Sequence, residues 1–241
     1  MTKRRIIAFA VVIAAVIAGM GVETFASKKV RKTATFKVRI ENISNADGLG
    51  TTGGSKYPFA LSPGFFVVNH KKHYFFDEGK TASKALEAQA EDGNPELLAK
   101  KLLTKLGSLY IGVFNKPVGT DMAAPILPGG AYEFTFRAEE GMRLNLISMF
   151  GQSNDLFYAP KESFDLFDAS GNPLSGDLTD RFLLWDAGTE VNQAPGVGDE
   201  QAPRQKEKNT GKAEGGKVAL VKDGFTYPET KDVLRITITA E

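Results

Sequence analysis

"TFKVRIENI", residues 35–43, sets Phe36, Val38 and Ile40 against Lys37, Arg39 and Glu41. Successive side chains on an extended backbone point to opposite sides, so alternation at period two marks a strand with one dry and one wet face. Further apolar runs of strand length follow at 64–69, 73–76, 108–115, 130–138, 143–150, 164–167, 181–185 and 233–239. Glycine, proline, asparagine or aspartate separates most of them, as turns require. The expected fold is therefore all-β: an antiparallel β-sandwich of about eight strands with one or two inserted helices.

The helices are expected between the strand candidates 73–76 and 108–115. Residues 81–91 are rich in alanine and stop at Asp92-Gly93, after which Asn94 reads as an N-cap with Pro95 in the first helical position. Leu98, Leu102 and Leu106 then recur every four residues on one face, suited to packing on a sheet. Late in the chain, residues 192–217 combine proline, glycine, lysine and glutamate with little that is apolar and read as a surface excursion.

The N-terminus has its own logic. Lys3-Arg4-Arg5 precedes an unbroken apolar run over 6–18, and small residues lead up to Ala26. This is the layout of a secretory signal peptide over residues 1–26, cleaved near Ala26 or, with the apolar run extended through Val22, retained as an anchor. A short linker, 27–34, then leads into one domain over 35–241. Cleavage after Ala26 removes three cations and Glu23, turning a formal charge of +1 into −1. A near-neutral chain is not built for nucleic acid, and cleavage leaves no apolar run long enough for stable membrane insertion. The expected location is secreted, periplasmic or at the cell surface. Cysteine is absent, which excludes disulfides, thiolate metal sites and cysteine nucleophiles; an exported domain of this kind must be held by its core, with or without a metal.

Several motifs dissolve on inspection. Gly48-Leu49-Gly50-Thr51-Thr52-Gly53 matches G-x-G-x-x-G, but Ser55-Lys56-Tyr57-Pro58 follows in place of the helix that would meet a pyrophosphate, so it reads as a loop. His70 and His73, the two histidines, sit in "VVNHKKHYFF", which reads as two apolar runs around a hairpin turn. Asp165 to Pro173 fails the calcium-loop pattern and reads as a turn between Leu166 and Leu174.

"MFGQSNDLF" (149–157) and "LLWDAGTE" (183–190) are different in kind. Each places acids beside glycine just beyond an apolar β run, where carboxylates and backbone carbonyls can converge without competing with core packing. If the two strand ends are neighbours, Asp155, Asp186 and Glu190 meet, and an all-oxygen donor set of this sort suits calcium. Trp185, the single tryptophan, reads as a core anchor for the strand entering the second motif.

These two segments resemble the spondin N-terminal domain, a module of extracellular proteins with bacterial relatives. The family carries Met-x-Gly-x-Ser-x-Asp-aromatic after a core strand, then Trp-Asp-Ala-Gly-Thr-acid and a proline-bearing loop. The counterparts are Met149-Phe150-Gly151-Gln152-Ser153-Asn154-Asp155-Leu156 and Trp185-Asp186-Ala187-Gly188-Thr189-Glu190, and residues 74–95 are similar to its strand-to-helix segment. The likeness spans about Thr35 to the C-terminus. It implies a β-sandwich with inserted helices, an extracellular setting and one calcium site at Asp155, Asp186 and Glu190. The departures are Glu190 where aspartate is usual, Leu156 where tryptophan is usual, and the missing cysteines.

Taken together, the expected function is an exported calcium-binding module for adhesion or recognition at the cell envelope or extracellular matrix, its partner an extracellular or envelope protein or glycan. No catalytic residue is assigned. The alternative is a secreted hydrolase in which Asp155 and Asp186 act as a carboxylate pair on a glycan.

Overall fold

The computed structural model describes residues 31–241 apart from Thr52, residues 72–74 and residues 107–110, and it leaves the side chains of 104–106 undescribed. Residues 1–30, with the expected signal peptide and half of the linker, lie outside the described residues. Arg31–Glu241 is a compact unit in itself.

In chain order the strands are β1 (Thr33–Asn42), β2 (Leu49–Gly50), β3 (Lys56–Tyr57) and β4 (Leu61–Asn69), followed by helices α1 (Lys84–Asp92) and α2 (Glu96–Leu106). Then come β5 (Ile111–Phe114), β6 (Ala131–Glu139), β7 (Arg143–Phe150), β8 (Leu156–Pro160), β9 (Phe164–Asp165), β10 (Gly176–Asp177), β11 (Phe182–Asp186), β12 (Ala219–Leu220), the short helix α3 (Thr230–Val233) and β13 (Leu234–Ala240). They form a predominantly antiparallel β-sandwich. One sheet has the order β10-β13-β1-β6, the other β12-β11-β8-β7-β4-β5 with β9 also on β7, and β2 pairs with β3 as a small separate hairpin.

The alternation of β1 survives as burial: Phe36, Val38 and Ile40 are buried between the sheets while Lys37, Arg39 and Glu41 are not. β4 behaves differently because its sheet is covered on both faces. Phe66 and Val68 join the inter-sheet core, whereas Phe65 and Val67 pack outward under α1 and α2 with Leu86, Leu98, Leu102, Phe157 and Trp185. A strand buried on both sides needs an unbroken apolar run, which is what "FFVV" is. The capping of α1 follows its sequence: Ser83 Oγ accepts from Leu86 N–H, and Gly93 closes the helix at φ 61°.

Three details depart from the sequence reading. Phe75 and Phe76 are not in a strand; they pack on Phe65 and on Phe157 and Trp185, so the turn after Asn69 does not join two paired strands among the described residues. The glycine-rich stretch at 48–53 is partly ordered into the β2–β3 hairpin. β8, "LFYAP", has no counterpart in the expected strands, because all five residues are buried and show no alternation. The turn after β9 does close as expected, Leu174 N–H donating to Leu166 O at 2.9 Å.

The approach of β5 to β4 demands glycine. A Cβ at Gly64 would run into the Phe114 ring and the Ile147 carbonyl. Gly64→Ala should therefore lower the unfolding free energy by about 1–3 kcal/mol through overpacking, read as an earlier thermal transition by circular dichroism; an unchanged midpoint would show that the neighbouring strands can part freely.

Candidate metal centre

Antiparallel pairing of β8 with β11 sets Leu156 opposite Asp186. The register carries Asp155, the residue before β8, to the chain leaving β11, where Ala187 N–H donates to the Asp155 carbonyl at 3.2 Å. The turn that delivers Asp155 is pinned by Ser153, whose hydroxyl donates to Phe150 O at 2.6 Å and accepts from Leu156 N–H at 3.1 Å. Trp185, buried with its indole N–H donating to Ala159 O at 3.0 Å, holds β11 in place from the helix side.

The Asp155 side chain is fully enclosed, at 0% exposure. Its Oδ2 accepts three bonds, from Thr189 N–H at 2.7 Å, Thr189 Oγ1–H at 3.0 Å and Glu190 N–H at 3.1 Å. Its Oδ1 is buried with no partner. Asp186 lies beside it, with Oδ1 accepting from Gly188 N–H at 2.6 Å and Oδ2 from the Asn192 side-chain amide at 2.7 Å. Gly188 adopts φ 68°, and a Cβ there would press into the backbone of Gly216 and Lys217, so the glycine of the motif is required for the returning chain to approach.

That returning chain brings the third acid. Val191 N–H donates to Lys212 O, Glu214 N–H to Thr189 O and Gly216 N–H to Gly188 O, laying residues 212–216 along 188–191. One carboxylate oxygen each from Asp155, Asp186 and Glu214 then falls within a mutual 4.8 Å. Glu190 is buried next to this group but otherwise engaged: Gly211 N–H donates to its Oε1 at 2.9 Å and the Asn154 amide lies 3.5 Å from its Oε2. Of the three acids singled out from sequence, Asp155 and Asp186 meet, Glu190 contributes its backbone N–H to Asp155, and Glu214 completes the cluster.

A fourth acid stands behind. Glu91, buried in the last turn of α1, lies near Thr189 and has an unpartnered Oε2. Burial first, and then the charges of Glu190, Glu87 and Asp155, push its carboxyl up to about 7. Burial also dominates at Asp155, with the Asp186 charge second, and carries it to about 7 despite the three donors. Asp186 and Glu214 are raised too, again chiefly by burial. Thr189 has one hydroxyl proton and donates it to Asp155, so it is not available to Glu91.

Residues 192–217 form an ordered arm. Gln201 is fully buried. Arg204 donates to Gly198 O at 2.8 Å, to Gln152 Oε1 at 3.0 Å and to the Gln201 side chain, and Gln205 donates to Asp92 Oδ1 at 2.9 Å. The arm is thus clamped to the 151–155 turn and to the end of α1 through polar groups that satisfy one another, which is why its composition resembles a solvated loop.

The cluster's donors are all carboxylate oxygens. A buried, partnerless carboxylate oxygen flanked by two more carboxylates fits a hard divalent cation better than zinc.

Because Asp155 and Glu91 are raised from ordinary carboxylate values of about 4 to about 7 on folding, the folded chain without a metal binds more protons than the unfolded one across that interval. Its stability is therefore greatest below about pH 4 as far as these groups are concerned, and is lost as pH rises through about 7. Thermal melts in chelator should show this fall, and Asp155→Asn should flatten it; a melting temperature that climbs between pH 5 and 7, equally in wild type and variant, would contradict the assignment. Compared with protein-family models and with curated proteins, the chain finds no match.

Proposed function

We propose that this chain is an exported β-sandwich module in which Asp155, Asp186 and Glu214 hold one calcium ion, and that the loop surface organised around it serves adhesion or recognition at the cell envelope or extracellular matrix. The observation that carries the reading is the orphaned Oδ1 of a fully buried Asp155 beside two further carboxylates. An isolated buried anion is costly, and a cation or a proton must offset it. Calcium is favoured over magnesium by an acid set spread over irregular loop backbone, since calcium tolerates variable geometry and magnesium demands a near-octahedral one. The resemblance of the 149–156 and 185–190 segments to spondin N-terminal domains points the same way.

The ion's contribution is positive charge. The protein's residues do the rest: Thr189 and the Glu190 N–H fix one oxygen of Asp155, Gly188 and Asn192 fix Asp186, and the pairing of 212–216 with 188–191 presents Glu214. Joining the three ties the β7–β8 turn, the end of β11 and the returning arm into one piece. Glycan hydrolysis by Asp155 and Asp186 is the weaker reading. A glycosidase needs both carboxyls at an open groove, and Asp155 is enclosed.

Calcium at about a hundred times its dissociation constant should add about 2.7 kcal/mol to stability, a rise of roughly 5–10 °C in melting temperature for a domain of this size. Asp186→Ala should abolish the rise and Glu214→Gln should reduce it, whereas Glu190→Gln should lower stability with and without the ion. Identical melting curves in calcium and in chelator would sink the proposal.

A further inference from the structure

The strands divide the sandwich into two unlike ends. At one end β1, β7 and β11 finish and β4, β6 and β8 begin, and here Asp155, Asp186 and Glu214 lie. Among the described residues the four most exposed large apolar side chains, Met122 (76%), Val118 (53%), Leu127 (51%) and Val197 (46%), all sit in loops of this end. Phe225, also exposed, joins them: it lines a 510 Å³ trough with Gly50, Thr51, Ala194 and Pro195. At the opposite end the described tips, around His70, Glu140, Lys161 and Asp168, carry no exposed large apolar group.

The apolar end is also basic along one edge. From Arg204 to Lys217 the arm has five cations against Glu207 and Glu214, and Glu214 belongs to the acid cluster. Lys206, Lys208, Lys212 and Lys217 are exposed and form no ion pair among the described residues. Unpaired lysines on an arm that is itself well anchored, at the same end as apolar tips on the β5–β6 loop and at Val197 and Phe225, ask for a partner that is anionic, extended and deformable. A protein interface would offer complementary pockets to a contiguous apolar patch; apolar tips spread over three loops instead suit insertion between headgroups, with lysines on the phosphates.

We propose that this end docks on an anionic lipid surface, Met122, Val118 and Leu127 entering the headgroup layer and the 206–217 lysines meeting lipid phosphates. The attachment is peripheral; no helix among the described residues is long and apolar enough to cross a membrane. The proposal stands on the tips and the lysines, and a cation at the acid cluster would strengthen it by removing negative charge from the same end.

The test is co-sedimentation of the Arg31–Glu241 unit with phosphatidylcholine vesicles, with and without phosphatidylglycerol, in calcium and in chelator. Binding is expected only to the anionic vesicles. The triple variant Lys206→Gln, Lys208→Gln, Lys212→Gln should weaken it about a hundredfold, and Met122→Ser with Leu127→Ser about tenfold. Leu97→Ser with Leu103→Ser, on the exposed side of α2, should leave it unchanged. All these positions are on the surface, and a wild-type melting curve for each variant confirms the fold. No sedimentation with anionic vesicles, or equal losses from the α2 variant, overturns the proposal. A calcium-induced rise in melting temperature without sedimentation overturns the lipid docking alone; sedimentation without such a rise supports the docking while removing the calcium reading.

Discussion

The carboxylate of Asp155 is where the fold and the loops become one structure. It is buried completely, receives three hydrogen bonds on one oxygen and none on the other. The three donors all belong to Thr189 and Glu190, so the bonds fasten the turn after β7 to the chain leaving β11. Without them the two strand ends would still pair, but the segment from Ala187 onward would lack its fixed direction. The returning residues 212–216 pair along that segment, and Glu214 arrives at the cluster because of it. A single side chain thus determines where an acid almost sixty residues further on is placed.

Such a site needs a dry and rigid surround. One face of the sheet is closed by the other sheet and the opposite face by α1 and α2, so the strand ends that bear the acids are held from both sides. The helices do more than cover. α1 ends in Glu91, whose carboxyl is raised in part by the charges of Glu190 and Asp155, and in Asp92, which accepts from Gln205 in the arm. The same helix turn therefore faces the acid cluster and holds the arm. A helix inserted between β4 and β5 is, in this sense, part of the site.

How much of this could be read from the chain depends on whether the determining interactions are local. β1 could, since its burial is a local alternation. The Trp-Asp-Ala-Gly-Thr-Glu segment also could: its glycine at φ 68° and its acids occupy neighbouring positions. β8 could not, because a strand buried on all sides has no alternation, and the proline at its end argues against extension. Glu214 was invisible for a different reason. Its place follows from long-range pairing of two polar segments, and "KAEGGK" looks like solvated loop. Glu91 sits in an ordinary helical pattern, and no spacing rule marks a helix's last turn as facing an acid cluster. The assignment of Glu190 shows the limit from the other side: it lies in the right segment, but Gly211 and Asn154 engage its carboxylate.

Charge bookkeeping explains what this arrangement can do. Thr189 gives its one hydroxyl proton to Asp155, Glu91 lies nearby without a partner on Oε2, and Asp186 adds a third negative group against Asp155. The cluster cannot be fully ionised without a counter-charge; it must hold protons or a cation, and at neutral pH protons bind only partially to groups poised near 7. On the proposed reading a cation would be the more complete solution, and it would act on an interior group that no macromolecular partner can touch. What a partner would meet is the rim: exposed Glu214, the lysines of the arm and the apolar loop tips. Ion and partner would then address different atoms of the same end, coupled through the backbone of 186–191 and 212–216, a division that follows from burying Asp155 while leaving Glu214 at the surface.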